Sequence, residues 1–276
     1  MKKMSKGKKI AIIIISVILS IAILLPIGAY AFVIFVVPRT MDGEEIKAEY
    51  IDNPAMSVSW QEYDKQNLVL SGKTTTYTEE SFEITLPEKF VFNEETSSDG
   101  NYAYWIMNGE DASATILISE PMFFPEDNNN PEYKSYENSQ FGYKLLYGYA
   151  SKKGYGIELG TEYDYKLLVN SINVSTFDTN NHYQVFVMSQ AGIMKSLGTT
   201  PLLSSKSIYK VDTDTYKGFI YDRSKVRDDG SILKWYSMDA YAPDNLNFAY
   251  TIYISDIDNI LTEDDIFAIF NSFKVK

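Results

Sequence analysis

The chain has no cysteine and a single histidine, His182. The first absence excludes disulfides, thiolate metal sites and cysteine nucleophiles. The second leaves a zinc enzyme short of ligands, because cysteine-free zinc centres draw on two or more histidines or on several carboxylates. His182 itself sits in the polar run DTNNHYQ (178–184), which reads as a surface or helix-cap segment. No Gly-x-Ser-x-Gly elbow is present to carry a serine nucleophile. The Gly-Lys-Thr of SGKTTT (71–76) has Asn67 where a phosphate-binding loop needs glycine, and strand patterns flank it, so it reads as a hairpin turn. In GYGIELG (154–160) the glycines stand one residue too far apart for a dinucleotide loop and no strand precedes them, so the stretch reads as a helix-breaking connector.

Acidic residues are missing before Asp42, and charge of either sign is missing from Ile10 to Val37, a run of 28 residues. A membrane-crossing helix needs about 20 apolar residues, so this run is long enough to cross with tilt or with a bend at Pro26. Ala29-Tyr30-Ala31 has the small-x-small form of a leader cleavage site, but a cut there would leave Phe-Val-Ile-Phe-Val-Val as the new terminus. The apolar core of a secretory leader is also shorter, about 7–15 residues. The run is therefore read as a retained signal anchor. Lys2, Lys3, Lys6, Lys8 and Lys9 precede it and orient it with the N terminus in the cytoplasm. The expected address is the cell membrane, crossed once, with the C-terminal domain outside. The expected division is a basic tail (1–9), the anchor (10–37), a juxtamembrane linker (38–56) and one extracytoplasmic domain (57–276).

Five of the 25 basic residues lie in the tail, so 20 remain beyond the anchor against all 37 acidic residues, a net charge of −17. Such a domain repels nucleic acid and anionic lipid, both of which need a basic face.

Hydrophobic periodicity predicts an α+β fold. SFEITLPEKFVF (81–92) alternates Phe82, Ile84 and Leu86 with polar positions, and Pro87 closes the strand. YAYWIM (102–107) and SATILIS (113–119) follow across Asn108-Gly109, a hairpin-turn pair, so three antiparallel strands are expected to open the fold. PEDNNNPE (125–132) reads as a loop. Helical spacing then links Phe141, Leu145 and Tyr149; Tyr163, Leu167 and Ser171; and Tyr183, Val187, Ala191, Met194 and Leu197, the last with Thr179 or Asn180 as its cap. Gly154, Gly156 and Gly160 interrupt the first two patterns. Residues 207–222 form a hairpin, DDGS (228–231) turns the chain, and a second hairpin closes across Pro243-Asp244-Asn245, with Leu246, Phe248, Tyr250, Ile252 and Ile254 on one face. Thr262 and Asp265 form a capping box ahead of a stripe of Ile266, Ile269, Phe270 and Phe273, which must dock on the sheet. The order of strands, helices, strands and helix argues for a mostly antiparallel sheet with flanking helices.

The early SFEITLPEKF strand, the hairpin after it, the helical middle, the two later hairpins and the final helix ending IFNSFK together resemble the PsbP/Mog-type α/β/α sandwich, in its membrane-anchored bacterial branch. The resemblance covers about residues 76–120 and 205–276; residues 121–204 are longer and more helical than the family needs. It implies a non-enzymatic domain that binds protein partners or stabilises assemblies, with no catalytic residue to carry over.

The remaining candidate sites read as structural. DTDT (212–215), RDDG (227–230) and DIDN (256–259) offer oxygen ligands, but after Asp256 and Asp258 the sixth loop position is Leu261 rather than the glycine of a calcium loop. The expectation is thus an extracytoplasmic binding or scaffolding module with an envelope protein as partner. It needs no cofactor, no metal and no catalytic residue. A ligand- or carbohydrate-sensing domain is the alternative; it requires a concave site with clustered tyrosine and tryptophan, such as Trp105 or Trp235 exposed together. A carboxylate-dependent hydrolase is a third reading. It requires two acids facing each other across a cleft, one with a raised pKa.

Overall fold

The structure, a computed structural model, describes residues 28, 32, 36–51, 58–93, 102–107, 114–119, 140–157, 161–197 and 206–276. The five N-terminal lysines, most of the uncharged run, the Asn108-Gly109 turn, the 125–132 stretch and Gly160 lie outside the described residues. Among the described residues no helix is long and apolar enough to cross a membrane.

The fold is α+β. A helical turn, α1 (Val37–Thr40), and a helix, α2 (Gly43–Ile51), come first. Six strands follow: β1 (Trp60–Glu62), β2 (Thr74–Thr78), β3 (Phe82–Pro87), β4 (Phe90–Phe92), β5 (Tyr102–Met107) and β6 (Ala114–Ser119). Three helices, α3 (Gln140–Lys152), α4 (Glu162–Ser171) and α5 (His182–Leu197), occupy the middle. The chain ends with β7 (Ser207–Asp212), β8 (Lys217–Asp222), β9 (Lys225–Val226), β10 (Ile232–Ala242), β11 (Asn245–Asp256), α6 (Glu263–Ser272) and β12 (Lys274–Val275).

The large sheet runs in the order β1-β7-β8-β10-β11-β6-β5-β4, with β9 beside β10. Its pairs are antiparallel except for β1 and β7. A small sheet has the order β12-β3-β2.

Strand alternation sends two sets of side chains to opposite faces of the large sheet. On the first face Trp105, Ile116, Ile118, Ile220, Met238, Ile252 and Ile254 meet Phe82, Ile84 and Leu86 of β3 and the α6 stripe. Ile266, Phe267, Ile269, Phe270 and Phe273 are all completely buried there. Burying each such side chain contributes about 1.5–3 kcal/mol relative to exposure, so the docking of α6 dominates this core. Its start is set by the expected capping box between Thr262 and Asp265. On the second face Phe219, Tyr221 and Tyr241 meet Tyr163 and Leu167 of α4. Beyond α4, Leu146, Leu168, Phe177, Val187 and Met188 join α3, α4 and α5 in a separate helical core.

Four local expectations are revised. β5 and β6 pair with Trp105 opposite Ile116, but the segment before them divides between two sheets. Phe82–Pro87 pairs with β2 and β12, and Phe90–Phe92 alone reaches β5. Pro87 cannot donate to a ladder, and the chain turns at Glu88-Lys89, so the strand changes sheets there. The cap of α5 is Asn181, whose Oδ1 accepts from the Tyr183 and Gln184 amides at 3.1 and 3.2 Å. Leu246 packs on the second face, with Tyr241 and Ala249, because the β10–β11 register shifts between Tyr241 and Ala242. Within the stretch read as a linker, α2 is docked: Lys47 Nζ donates to the Phe177 carbonyl at 2.8 Å, Ile46 joins the helical core, and Glu44 accepts from Thr179 Oγ1.

Gly218 of β8 lies opposite Ala240 in the centre of the large sheet. A Cβ there would stand 1.8 Å from the Asp239 carbonyl oxygen. Gly218→Ala is expected to destabilise the chain by about 1–3 kcal/mol or more, as overpacking does, read as a lowered denaturation midpoint.

Candidate functional site

Helix α4 builds the site. Thr161 Oγ1 accepts from the Asp164 amide while Asp164 Oδ2 accepts from the Thr161 amide, so a capping box fixes the first turn. Tyr163, stacked on Phe219 at 5.5 Å, and Leu167 face the sheet. Between them Lys166 reaches into the same interface. Its Nζ donates to Asp239 Oδ2 of β10 at 2.5 Å, with the lysine side chain 21% and the aspartate 9% exposed. Tyr241 Oη donates to Glu162 Oε1 at 3.1 Å. Asn170 Nδ2 donates to Tyr221 Oη at 3.1 Å. Burial opposes the charged form of Lys166, but Asp239 foremost outweighs it and the lysine pKa is raised well above its ordinary value. Burial pushes the Glu162 carboxyl above the ordinary carboxylate range, against the pull of Lys166 and the Tyr241 hydrogen bond. Burial pushes the Tyr163 phenol up to about 12.

The flank of α4 beside β1 forms one wall of a cleft of about 580 Å³. Asp164, Leu167 and Ser171 supply that wall, Trp60 of β1 and Lys210 of β7 the floor, and the connector residues Tyr155, Gly156 and Ile157 the opposite rim. Trp60 is fixed: its Nε1 donates to Ser171 Oγ at 2.7 Å, and Ser171 Oγ donates to the Leu167 carbonyl at 2.6 Å. The Lys210 ammonium lies 4.4 Å from the Trp60 ring centroid and pairs with Glu62 at 3.0 Å. Tyr155, 40% exposed, is the aromatic on the rim. The connector reaches this position because Gly154 and Gly156 take φ of 77° and 63°, which only glycine adopts without strain.

β1 is also an edge of the large sheet. The Tyr63 amide donates to the Lys210 carbonyl at 3.1 Å. By alternation, the backbone groups of Trp60 and Glu62 turn away from β7, and no described residue pairs with them. Cleft and free edge therefore adjoin.

The structure distributes the sequence candidates as follows. Trp105 is fully buried in the first core. Trp235 is half-buried with its indole nitrogen enclosed. Trp60 is the tryptophan at a concave surface. His182 is exposed at the first turn of α5. Gly72 has a φ of 85° and leads into β2 without a strand before it, so SGKTTT is a turn but not a hairpin. Asp256 is fully buried and accepts from the Ile260 and Leu261 amides at 2.9 and 2.8 Å, which shapes the loop entering α6. Among the described residues no group of three or more histidines and carboxylates is placed to hold a metal ion. Glu162 and Asp239 share one network, but both converge on Lys166 rather than facing each other across the cleft. Sequence reasoning missed Trp60, Tyr155 and Lys210 as site residues. The 154–160 glycines marked a connector, but nothing in the sequence said what that connector would face.

No family model and no curated protein sequence matches the chain.

Removing one member of the Lys166–Asp239 pair strands the other charge. Lys166→Met is expected to cost about 3–5 kcal/mol, whereas Lys166→Met with Asp239→Leu recovers most of that loss in a denaturant-unfolding cycle. Glu162 gives a pH signature. Its folded pKa is raised, so the stability it contributes is present below its unfolded value of about 4.3 and is lost as pH rises through the folded value. Glu162→Gln should therefore gain thermal stability relative to wild type as pH is raised from 4 to 7.

Proposed function

We propose that this chain is a membrane-anchored, outward-facing binding module. Its ligand is an extended protein segment that adds to the β1 edge and seats a side chain in the Trp60–Tyr155 cleft. The observation that carries the reading is the adjacency of a free sheet edge and a cleft of mixed polarity. Edge addition supplies backbone hydrogen bonds, and the neighbouring pocket supplies selectivity. A stacked sugar suits the cleft less well, because Lys210 lies over the Trp60 ring and leaves Tyr155 as the accessible aromatic. Among the described residues no pair of acids faces across the cleft to support the hydrolase reading.

Placement outside the cell rests on the uncharged run from Ile10 to Val37 and the five lysines before it. The mostly antiparallel sheet with helices on both faces supports kinship with the PsbP-type α/β/α sandwich.

Two measurements test the reading. Full-length protein in detergent is presented to peptide and glycan arrays. Peptide hits are expected, with affinity about tenfold lower for Tyr155→Ala, a substitution at an exposed position that leaves folding intact. Glycan hits alone, or peptide hits indifferent to Tyr155, would remove the cleft from the account. Protease added to intact cells is expected to digest the C-terminal domain while leaving an N-terminal tag protected.

A further inference from the structure

Arg223 follows β8 and is 7% exposed. Its guanidinium is therefore largely withdrawn from water. Among the described residues no carboxylate stands within ion-pair distance of it. Its Nε is buried with no hydrogen-bond partner. The Arg223 amide donates to the Trp235 carbonyl at 2.7 Å, which continues the β8–β10 register. The two residues are cross-strand neighbours, and their side chains issue from the same face of the sheet. That is the second face: the Tyr221 ring lies 5.2 Å from the Arg223 Cζ. Trp235 Nε1 is likewise buried and without an acceptor. Two buried donors without acceptors, Arg223 Nε and Trp235 Nε1, therefore belong to side chains that leave one face of the sheet from cross-strand positions.

Buried polar atoms are almost always satisfied, and an enclosed charge is normally paired. Two such donors at cross-strand positions suit one shared acceptor. We propose that Arg223 and Trp235 form a carboxylate-binding site, distinct from the Trp60 cleft, in which one carboxylate oxygen accepts from the guanidinium and the other from the indole N–H. A flat, monovalent anion with two oxygens matches one charged and one neutral donor. A phosphate dianion would bring more charge than a single arginine offsets. The approach runs along the sheet: Trp235 is opposite Ser255, and Ser255 is opposite Thr115. These three positions are half-buried rather than closed. Arg223 follows the strand two places from β1, Trp235 lies on the strand three places from it, and neither residue lines the cleft.

The test uses the full-length chain in detergent micelles, with thermal unfolding followed at constant ionic strength while sodium acetate replaces sodium chloride. The melting temperature of wild type is expected to rise saturably with acetate. Arg223→Met should abolish the response, and Trp235→Phe, which removes only the indole donor, should weaken apparent affinity by about tenfold. N-acetyl-diglycine as free acid and as amide tells a small carboxylate from a chain end. Stabilisation by acetate, or by the free acid and not the amide, supports the site. Equal effects of acetate and chloride, or a response that survives both substitutions, would overturn it. Should Arg223→Met fail to fold, Trp235→Phe decides alone, and an unchanged acetate affinity there counts against the proposal.

Discussion

The ion pair between Lys166 and Asp239 is the constraint on which the functional half of the molecule depends. The aromatic contacts around it are numerous but weakly directional, and α4 packed on Phe219 and Tyr241 by apolar contact alone would have several acceptable settings. A lysine that must meet a carboxylate 9% exposed on β10 has one. That setting places Asp164, Leu167 and Ser171 along the cleft and brings the Ser171 hydroxyl to the Trp60 indole. The edge strand, the helix and the glycine connector are thereby assembled around a single buried charge.

The opposite face is governed by different physics. Its side chains are almost wholly apolar, and α6 closes it with Ile266, Phe267, Ile269 and Phe270 completely buried and Ala268 3% exposed. The polar contacts there serve to aim the helix. Asp256 shapes the loop before α6 and Thr262 caps its start. Near its end Asn271 Nδ2 donates to the Lys65 and Leu68 carbonyls, while its Oδ1 accepts from Tyr63 Oη at 2.8 Å. Since Tyr63 directly follows β1, the apolar face also helps to hold the edge strand that borders the cleft.

Much of this was legible in the amino-acid order because local chemistry determined it. The alternation of Phe82, Ile84 and Leu86, the hairpins of the C-terminal third, the three middle helices and the Thr262–Asp265 box all lie in short windows where periodicity and capping decide. What was not legible depended on distant partners. Nothing within 81–92 reveals that Pro87 separates two sheets, because the partners are β12 at one end and β5 at the other. Nothing near Leu246 announces the register shift that turns it to the second face. The cleft unites residues 60, 155–157, 164–171 and 210, and no spacing rule links them. The helical spacing of Tyr163, Leu167 and Ser171 says nothing of Lys166, whose role appears only when Asp239 is placed opposite it.

The central claim is that ligand is taken up at the cleft beside β1 by a protein held at the membrane. The most direct measurement is site-specific photocrosslinking in living cells, with a benzophenone side chain at position 155 on the rim and, separately, at Val69, which is 84% exposed and absent from the cleft lining. The account predicts a discrete adduct in the membrane fraction from position 155 and none from position 69. The same adducts from both positions, or none from 155, would contradict it.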